Sequence, residues 1–129
     1  MMAVTADDFK SFADPLANSD IEIDRRNYVS RSYYSVFHKV KPIADLLPPP
    51  LIDKSGGVHE KILQTLSSQP NSNATALKLR SLSALMELVR ANRSKADYDL
   101  SDEVDVDFIQ KHMDDMDNVQ KKLNEINSV

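Results

Sequence analysis

Four polar side chains that could bind or transform a ligand share one edge of a long helical stretch at 31–38. At about 100° per residue, Arg31, Ser35 and His38 fall in line along this edge, and Tyr34 lies beside them. An arginine and a tyrosine can contact a phosphate and a nucleic-acid base, and a histidine can carry a proton near neutral pH. The pattern indicates a groove or a subunit face, and the simpler alternative is an ordinary solvated helix face.

A second group of chemically capable residues stands at the end of a later helix. Arg93 continues the apolar seam of that helix by one turn, so we expect it to point inward or toward an interface. Asp97 and Tyr98 are expected in the loop that follows, where functional residues are common. The simpler alternative is that Asp97 pairs locally with Arg93. His59 opens a short helix after two glycines, where an ordinary capping-region role is equally open.

Composition excludes several kinds of chemistry. The chain has no cysteine, which rules out disulfides and thiolate catalysis, and its two glycines are adjacent, which argues against a glycine-rich phosphate loop. Neither a metal nor another cofactor is predicted, because Asp114, Asp115 and Asp117 would spread around a helix as a solvated face. His112, on the apolar edge of the same helix, is expected to be buried or at the boundary of the core.

Charge and hydropathy favour a protein without a membrane segment. The formal net charge of −4 disfavours non-specific binding of nucleic acid by the whole surface, although bases outnumber acids between 61 and 100. No apolar run approaches the ~18 residues of a membrane span. The first residues carry neither a basic region nor a long apolar core, so a signal peptide is not expected and a cytoplasmic location is predicted.

Apolar residues recur at helical spacing in five segments, and no segment shows the alternation typical of a strand. The sequence therefore predicts a single all-α domain over 1–129, an antiparallel bundle of four to five helices. Thr5 can cap the first helix, and Ser19 with Glu22 has the spacing of a capping box at the start of the second. The predicted elements are a short N-terminal helix at 1–18, a long central helix at 19–47, and further helices at 57–68, 73–94 and 104–127.

Two helices supply most of the predicted core. The central helix has an apolar stripe of Val29, Tyr33, Val36, Phe37, Val40, Ala44 and Leu47. The fourth helix has a seam of Leu79, Leu82, Met86 and Val89, widened by Leu85 and Leu88. After the central helix has buried its stripe, its polar and aromatic edge remains for a second contact, which favours a dimer.

Two motifs in this all-α setting resemble those of small prokaryotic HEPN domains. The stretch RSYYSVFH at 31–38 resembles the R-x-Y-Y-x-x-x-H pattern of a long second helix in that family. The stretch RSKADY at 93–98 resembles the R-x-x-A-D-Y motif found after the fourth helix in one branch, and His59 is similar to a histidine that this branch often has. The resemblance covers roughly residues 20 to 126.

The resemblance implies a dimeric helical bundle linked to RNA cleavage or nucleotide binding in toxin–antitoxin, phage-defence or stress systems. Active HEPN ribonucleases carry R-x(4-6)-H, in which the arginine stabilises the phosphate transition state and the histidine helps the 2′-hydroxyl to attack, without a metal. This chain departs from the pattern, because no histidine follows Arg93 at that spacing. The candidate residues are then Arg31, His38, Arg93 and Asp97 for catalysis, and Tyr34, His59 and Tyr98 for substrate binding.

Three functions remain open from the sequence. The first is a metal-independent ribonuclease or nucleotide-binding relative, for which Arg31 and Arg93 should meet around a cleft. The second is a catalytically inactive HEPN module that binds a cognate partner protein, for which these residues should form a buried ion-pair network. The third is a plain helical scaffold, for which the polar edge of the central helix should simply be solvated.

Overall fold

The computed structural model describes residues 3–49, 56–69 and 73–127, and all regular structure in these ranges is helical. A 3₁₀ turn at Asp14–Asn18 extends the first helix. The five α-helices are α1 (Ala6–Ala13), α2 (Glu22–Asp45), α3 (Val58–Ser67), α4 (Ala74–Tyr98) and α5 (Val106–Asn127). The prediction of an all-α bundle is therefore confirmed for the described residues.

Contacts between the helices define their relative directions. The Ser30 hydroxyl, near the start of α2, donates to Asp97 near the end of α4, so α2 and α4 are antiparallel. Asn92 in α4 contacts His112 in the first half of α5, so these two helices are antiparallel as well, and α5 runs parallel to α2. α1 packs along α2, and α3 packs along α4.

The core forms where the apolar seams of α2 to α5 meet, and its main residues match the predicted stripes. Leu88 is the exception: it was predicted to widen the seam of α4, but 47% of it is exposed. Leu88 directly precedes Val89, a member of the buried seam, and a step of about 100° turns its side chain away from the core. The most buried members of the main core are Tyr33, Val36, Val40, Leu66, Leu82, Met86, Val89, Val119 and Leu123.

The start of α2 differs from the prediction. The capping box expected between Ser19 and Glu22 is absent, because the helix begins at Glu22 and its N-cap, Ile21, makes no side-chain hydrogen bond. Ser19 instead donates its hydroxyl hydrogen to Asp24 at 2.8 Å. The Glu22 carboxylate accepts a hydrogen bond from the backbone N–H of Val104 at 3.1 Å. The carboxylate expected to cap the start of α2 is therefore bound to a distant segment of the chain. α1, in contrast, has the expected cap at Thr5.

The end of α4 lies further along the chain than predicted, at Tyr98 rather than at 94. The cause is the buried Arg26 of α2, whose guanidinium donates to the carbonyls of Lys95, Ala96 and Asp99 at 3.4, 3.0 and 3.1 Å, and also to that of Asp102. Because the last carbonyls of a helix have no partner within it, a donor placed there stabilises the final turn. Asp97 and Tyr98 consequently lie on a helix, not in the predicted loop.

Within the described ranges, no helix combines the length and the apolar character that crossing a membrane requires.

Candidate functional site

The aromatic ring of Tyr34 is the point where three helices bring the predicted residues together. The guanidinium carbons of Arg31 and Arg93 lie 5.0 and 5.6 Å from its centroid. The rings of His38 and His59 lie 6.2 and 6.0 Å away. We call these five residues, Arg31, Tyr34, His38, His59 and Arg93, the Tyr34 cluster. They come from α2, α3 and α4, so only the folded bundle assembles them.

Arg93 is the most buried cation of the cluster. It is 8% exposed, and its guanidinium carbon lies 5.6 Å from the ring centre of Tyr33 and 5.9 Å from that of Tyr98. Its one ion pair with a described residue, Asp97, is long at 3.6 Å. The Nε of Arg93 is buried and meets no hydrogen-bond acceptor in the described part of the chain. Arg93 therefore holds a positive charge against aromatic faces with part of its hydrogen-bonding capacity unused.

A single hydroxyl links Arg31 to the acidic residue of the site. Ser30 accepts a hydrogen bond from Nη2 of Arg31 at 3.0 Å and donates one to Oδ2 of Asp97 at 3.3 Å. Asp97 thus faces both arginines, directly in one case and through Ser30 in the other. Tyr98, the next residue, is 72% exposed, and its ring forms the rim of the site.

His59 is held in a form that can accept a proton. Its Nδ1 lies 2.6 Å from the hydroxyl of Tyr33. Burial lowers the pKa of His59 below its ordinary value of 6.5, and the positive charges of Arg93 and Arg90 lower it further, so the ring is neutral at neutral pH. Burial raises the pKa of Tyr33 to about 12, so its hydroxyl stays protonated. A neutral imidazole beside a guanidinium has the character of a general base.

His38 lies at the far side of the cluster from α4. Its ring packs at 5.0 Å from Phe9 of α1 and 5.3 Å from Phe37, while the residue itself is exposed. The polar edge predicted on α2 is not continuous. Ser35, expected on that edge between Arg31 and His38, is 2% exposed, and its hydroxyl donates to the carbonyl of Ser32. Its small size lets α2 approach its neighbours there, so only part of the edge faces outward.

A second polar network is centred on His112, which is fully buried in the bundle. Its Nε2 lies 2.8 Å from the Ser32 hydroxyl, and its Nδ1 lies 3.1 Å from the amide nitrogen of Asn92. Lys111 donates to the Asn92 oxygen at 3.1 Å, and Asp115 accepts from the Asn92 nitrogen at 2.9 Å, which fixes the orientation of the amide. His112 Nδ1 therefore accepts a hydrogen bond, and Nε2 carries the proton.

This tautomer makes Ser32 and His112 a structural pair and not a nucleophile with its base. The Nε2 proton points at the serine oxygen, and the serine in turn donates to the carbonyl of Val29 at 3.2 Å. Burial lowers the pKa of His112 to about 4, so the ring stays neutral. The prediction that His112 is buried is confirmed. Asn92 was missed, although its spacing of three from Val89 and four from Ala96 places a polar residue at a core position.

Comparison with known proteins adds no assignment, since no family model, no curated protein and no solved structure matches the chain. Among the described residues, no group of three histidine, aspartate or glutamate side chains is arranged to hold a metal ion. The fold and the site together define a five-helix bundle with a cluster of arginine, tyrosine and histidine side chains across α2, α3 and α4.

Proposed function

We propose that the chain is a HEPN-type protein that cleaves RNA without a metal, in a toxin–antitoxin, phage-defence or stress system. The observation that carries the proposal is the convergence of Arg31 and Arg93 on Tyr34, with the neutral His59 beside them. This is the arrangement expected of the ribonuclease hypothesis, in which the two arginines approach each other. The motifs at 31–38 and 93–98 support the same family.

In this proposal both arginines bind the phosphate of the substrate, at different depths in the site. Arg31 is half-buried and reaches the surface, so it would contact the incoming phosphodiester. Arg93 lies deeper, where a low dielectric strengthens its effect on charge that develops at the phosphorus. The exposed ring of Tyr98 offers a face on which a base can stack. A single nucleotide would bind in the same way, with its phosphate at the arginines and its base on Tyr98.

The reaction needs a proton acceptor for the ribose 2′-hydroxyl. His59 is the better candidate than His38, because it lies close to the charge of Arg93, whereas the ring of His38 packs against Phe9 of α1. As the proton leaves, the 2′-oxygen attacks the adjacent phosphorus, and the bond to the 5′-oxygen of the next nucleotide breaks. The leaving oxygen takes up a proton, and the products end in a 2′,3′-cyclic phosphate and a 5′-hydroxyl. Asp97 would position Arg93 through their ion pair.

A homodimer belongs to the proposal, because HEPN sites meet across a dimer. The α2 edge next to the Tyr34 cluster supports it, since Ile23 is 61% exposed and Asn27 is exposed four residues further along. A second chain that packs on this edge would bury Ile23 and bring a second Tyr34 cluster close to the first. A cytoplasmic location is part of the same proposal.

The second candidate is a catalytically inactive HEPN module that binds a cognate partner protein. The Arg93–Asp97 ion pair favours it, because it neutralises the deepest cation of the site. The absence of a histidine after Arg93 in the motif points the same way. In that case the Tyr34 cluster stabilises the fold and the exposed rim recognises the partner.

The deciding experiment incubates the purified protein with total RNA in excess EDTA. Arg31→Ala and His59→Asn are the informative variants, since Arg31 is at the surface and an asparagine can keep a hydrogen bond to Tyr33 without titrating. Arg93→Lys tests whether charge alone suffices at the deep position. Lys121→Ala, which removes an exposed cation from α5, is the matched control.

We expect chelator-resistant cleavage that falls at least about tenfold in Arg31→Ala and His59→Asn and is unchanged in Lys121→Ala. The fragments should carry 2′,3′-cyclic phosphates. Equal loss of cleavage in the Lys121→Ala control would indicate general charge attraction. A folded wild type that neither cleaves nor retains RNA would favour the partner-binding module.

A further inference from the structure

The carboxylate of Asp97 is linked to both arginines of the Tyr34 cluster. Its Oδ2 lies 3.6 Å from Nη1 of Arg93 and accepts a hydrogen bond from the Ser30 hydroxyl at 3.3 Å. The same hydroxyl accepts a hydrogen bond from Nη2 of Arg31 at 3.0 Å. An anionic group of the chain itself therefore contacts, directly or through one hydroxyl, the two guanidinium groups that bind phosphate in the proposed function.

The two contacts of this Asp97 oxygen are long. Charge-assisted hydrogen bonds of good geometry measure about 2.7–2.9 Å, and hydroxyl donors usually lie within about 3.0 Å of their acceptor. The distances here are 3.6 Å to Arg93 and 3.3 Å to Ser30. The Asp97 side chain is also 29% exposed, so solvent reaches it. A carboxylate held at such distances can turn outward when a stronger anion competes for its place.

Arg93 is the group for which such an anion would compete. Its Nε is buried and meets no acceptor in the described part of the chain, and Asp97 stays 3.6 Å from its Nη1. A phosphodiester presents two non-bridging oxygens that match the fork of a guanidinium at about 2.8 Å. A phosphate is therefore expected to bind Arg93 more strongly than Asp97 does. Arg31 adds a second cation once the Ser30 hydroxyl is released from Asp97.

We propose that Asp97 is an autoinhibitory group, which occupies the two arginines in the free chain and must be displaced by the phosphate of an RNA substrate. This inference rests on the proposed function, because it concerns the same two arginines. It reconciles two observations that favour different functions, namely arginines that converge and an ion pair that neutralises the deeper one. If Asp97 only positioned Arg93, removing its charge would weaken RNA binding, whereas removing a competitor strengthens it.

The test measures RNA binding by the full chain separately from cleavage. The probe is a short fluorescent oligoribonucleotide with 2′-O-methyl groups, which has no free 2′-hydroxyl to attack, and fluorescence anisotropy at fixed salt gives its dissociation constant. Asp97→Asn removes the charge and keeps an oxygen that can accept from Ser30. Asp99→Asn is the matched control, because it removes one charge two residues away, and the Asp99 carboxylate has no hydrogen bond or ion pair with a described residue. Circular dichroism of each variant verifies the fold.

We expect Asp97→Asn to bind the probe at least about fivefold more tightly than the wild type, and Asp99→Asn to change the affinity by less than about twofold. Weaker or unchanged binding in Asp97→Asn would overturn the inference, and so would an equal gain in Asp99→Asn, which would indicate a general effect of net charge. If the wild type nevertheless cleaved RNA in EDTA, the proposed function would stand while this inference failed. Tighter binding in Asp97→Asn without cleavage by the wild type would support the competition and contradict the ribonuclease. If neither protein bound the probe or cleaved RNA, both proposals would fail.

Discussion

The buried imidazole of His112 makes the stability of the bundle depend on pH. Burial holds its pKa at about 4 in the folded protein, against an ordinary value of 6.5. Between these values the unfolded chain binds a proton that the folded chain does not, so lowering the pH favours unfolding. At about 1.4 kcal/mol per pH unit, the interval corresponds to a loss of about 3 kcal/mol from this one group. The loss begins near pH 6.5 and is complete near pH 4.

The variant His112→Gln isolates this effect, because glutamine can keep hydrogen bonds to Ser32 and Asn92 but does not titrate. Free energies of unfolding in urea, measured from about pH 7 to about pH 4.5, should fall more steeply for the wild type than for the variant. Carboxylates contribute equally to both proteins, so the difference between the curves reports His112 alone. If the two plots of unfolding free energy against pH were parallel, the reasoning would be refuted. That result would mean that folding does not change the affinity of His112 for a proton.

Three further predictions concern the forces that hold the helices in place. Arg26→Ala should lower the free energy of unfolding in urea by at least about 2 kcal/mol, because the buried carbonyl of Ala96 and the partly buried carbonyls of Asp99 and Asp102 lose their donor. Leu82→Ala should lower it by about 2–5 kcal/mol, since Leu82 is fully buried, whereas Leu88→Ala should change it by less than about 1 kcal/mol. Thr5→Ala should cost about 1 kcal/mol of local stability, measured as faster hydrogen exchange in α1, because it removes the cap that Asp8 completes.

Each of these predictions has an outcome that would contradict it. Lys121→Ala is the control for Arg26→Ala, and equal effects of the two would show that the carbonyls do not depend on Arg26. Equal effects of Leu82→Ala and Leu88→Ala would contradict the burial of the α4 seam. Unchanged exchange in α1 after Thr5→Ala would mean that packing on α2 alone holds that helix.

The sequence predicted the bundle well because its helices bury continuous apolar stripes. The stripes of α2 and α4 have the period of a helix, and burial of such a stripe is a local property that spacing reveals. The ends of the helices were harder to predict. Glu22 was interpreted as part of a local cap, and it binds Val104 instead; Arg26 carried no pattern that indicated its contacts with the end of α4. Contacts between distant segments leave no periodic signal.

The sequence identified the residues of the candidate site, but it did not predict how they are arranged in space. Spacing placed Arg31 and His38 on one edge of α2, and the motif indicated Arg93 and His59, but nothing in the sequence identified Tyr34 as the ring on which all four converge. These four side chains converge on Tyr34 because of the angles at which α2 crosses α3 and α4. Those angles are determined by the packing of the helices and not by the spacing of residues in the sequence. The inward position of Ser35 has the same origin, since a small hydroxyl can bond to its own helix and be buried.

The contacts of Arg26 also bear on the order in which the molecule assembles. They join positions 69 to 76 residues apart, so they close a long loop, and loops of this size form slowly. The last turn of α4 should therefore become ordered late, after α2 and most of α4 have packed. Asp97 and Tyr98 lie in that turn. In a chain still emerging from the ribosome, the Asp97 carboxylate and the Tyr98 ring would not be held beside the Tyr34 cluster until the segment through Asp102 had been made. Any activity that needs these two groups would wait for that segment.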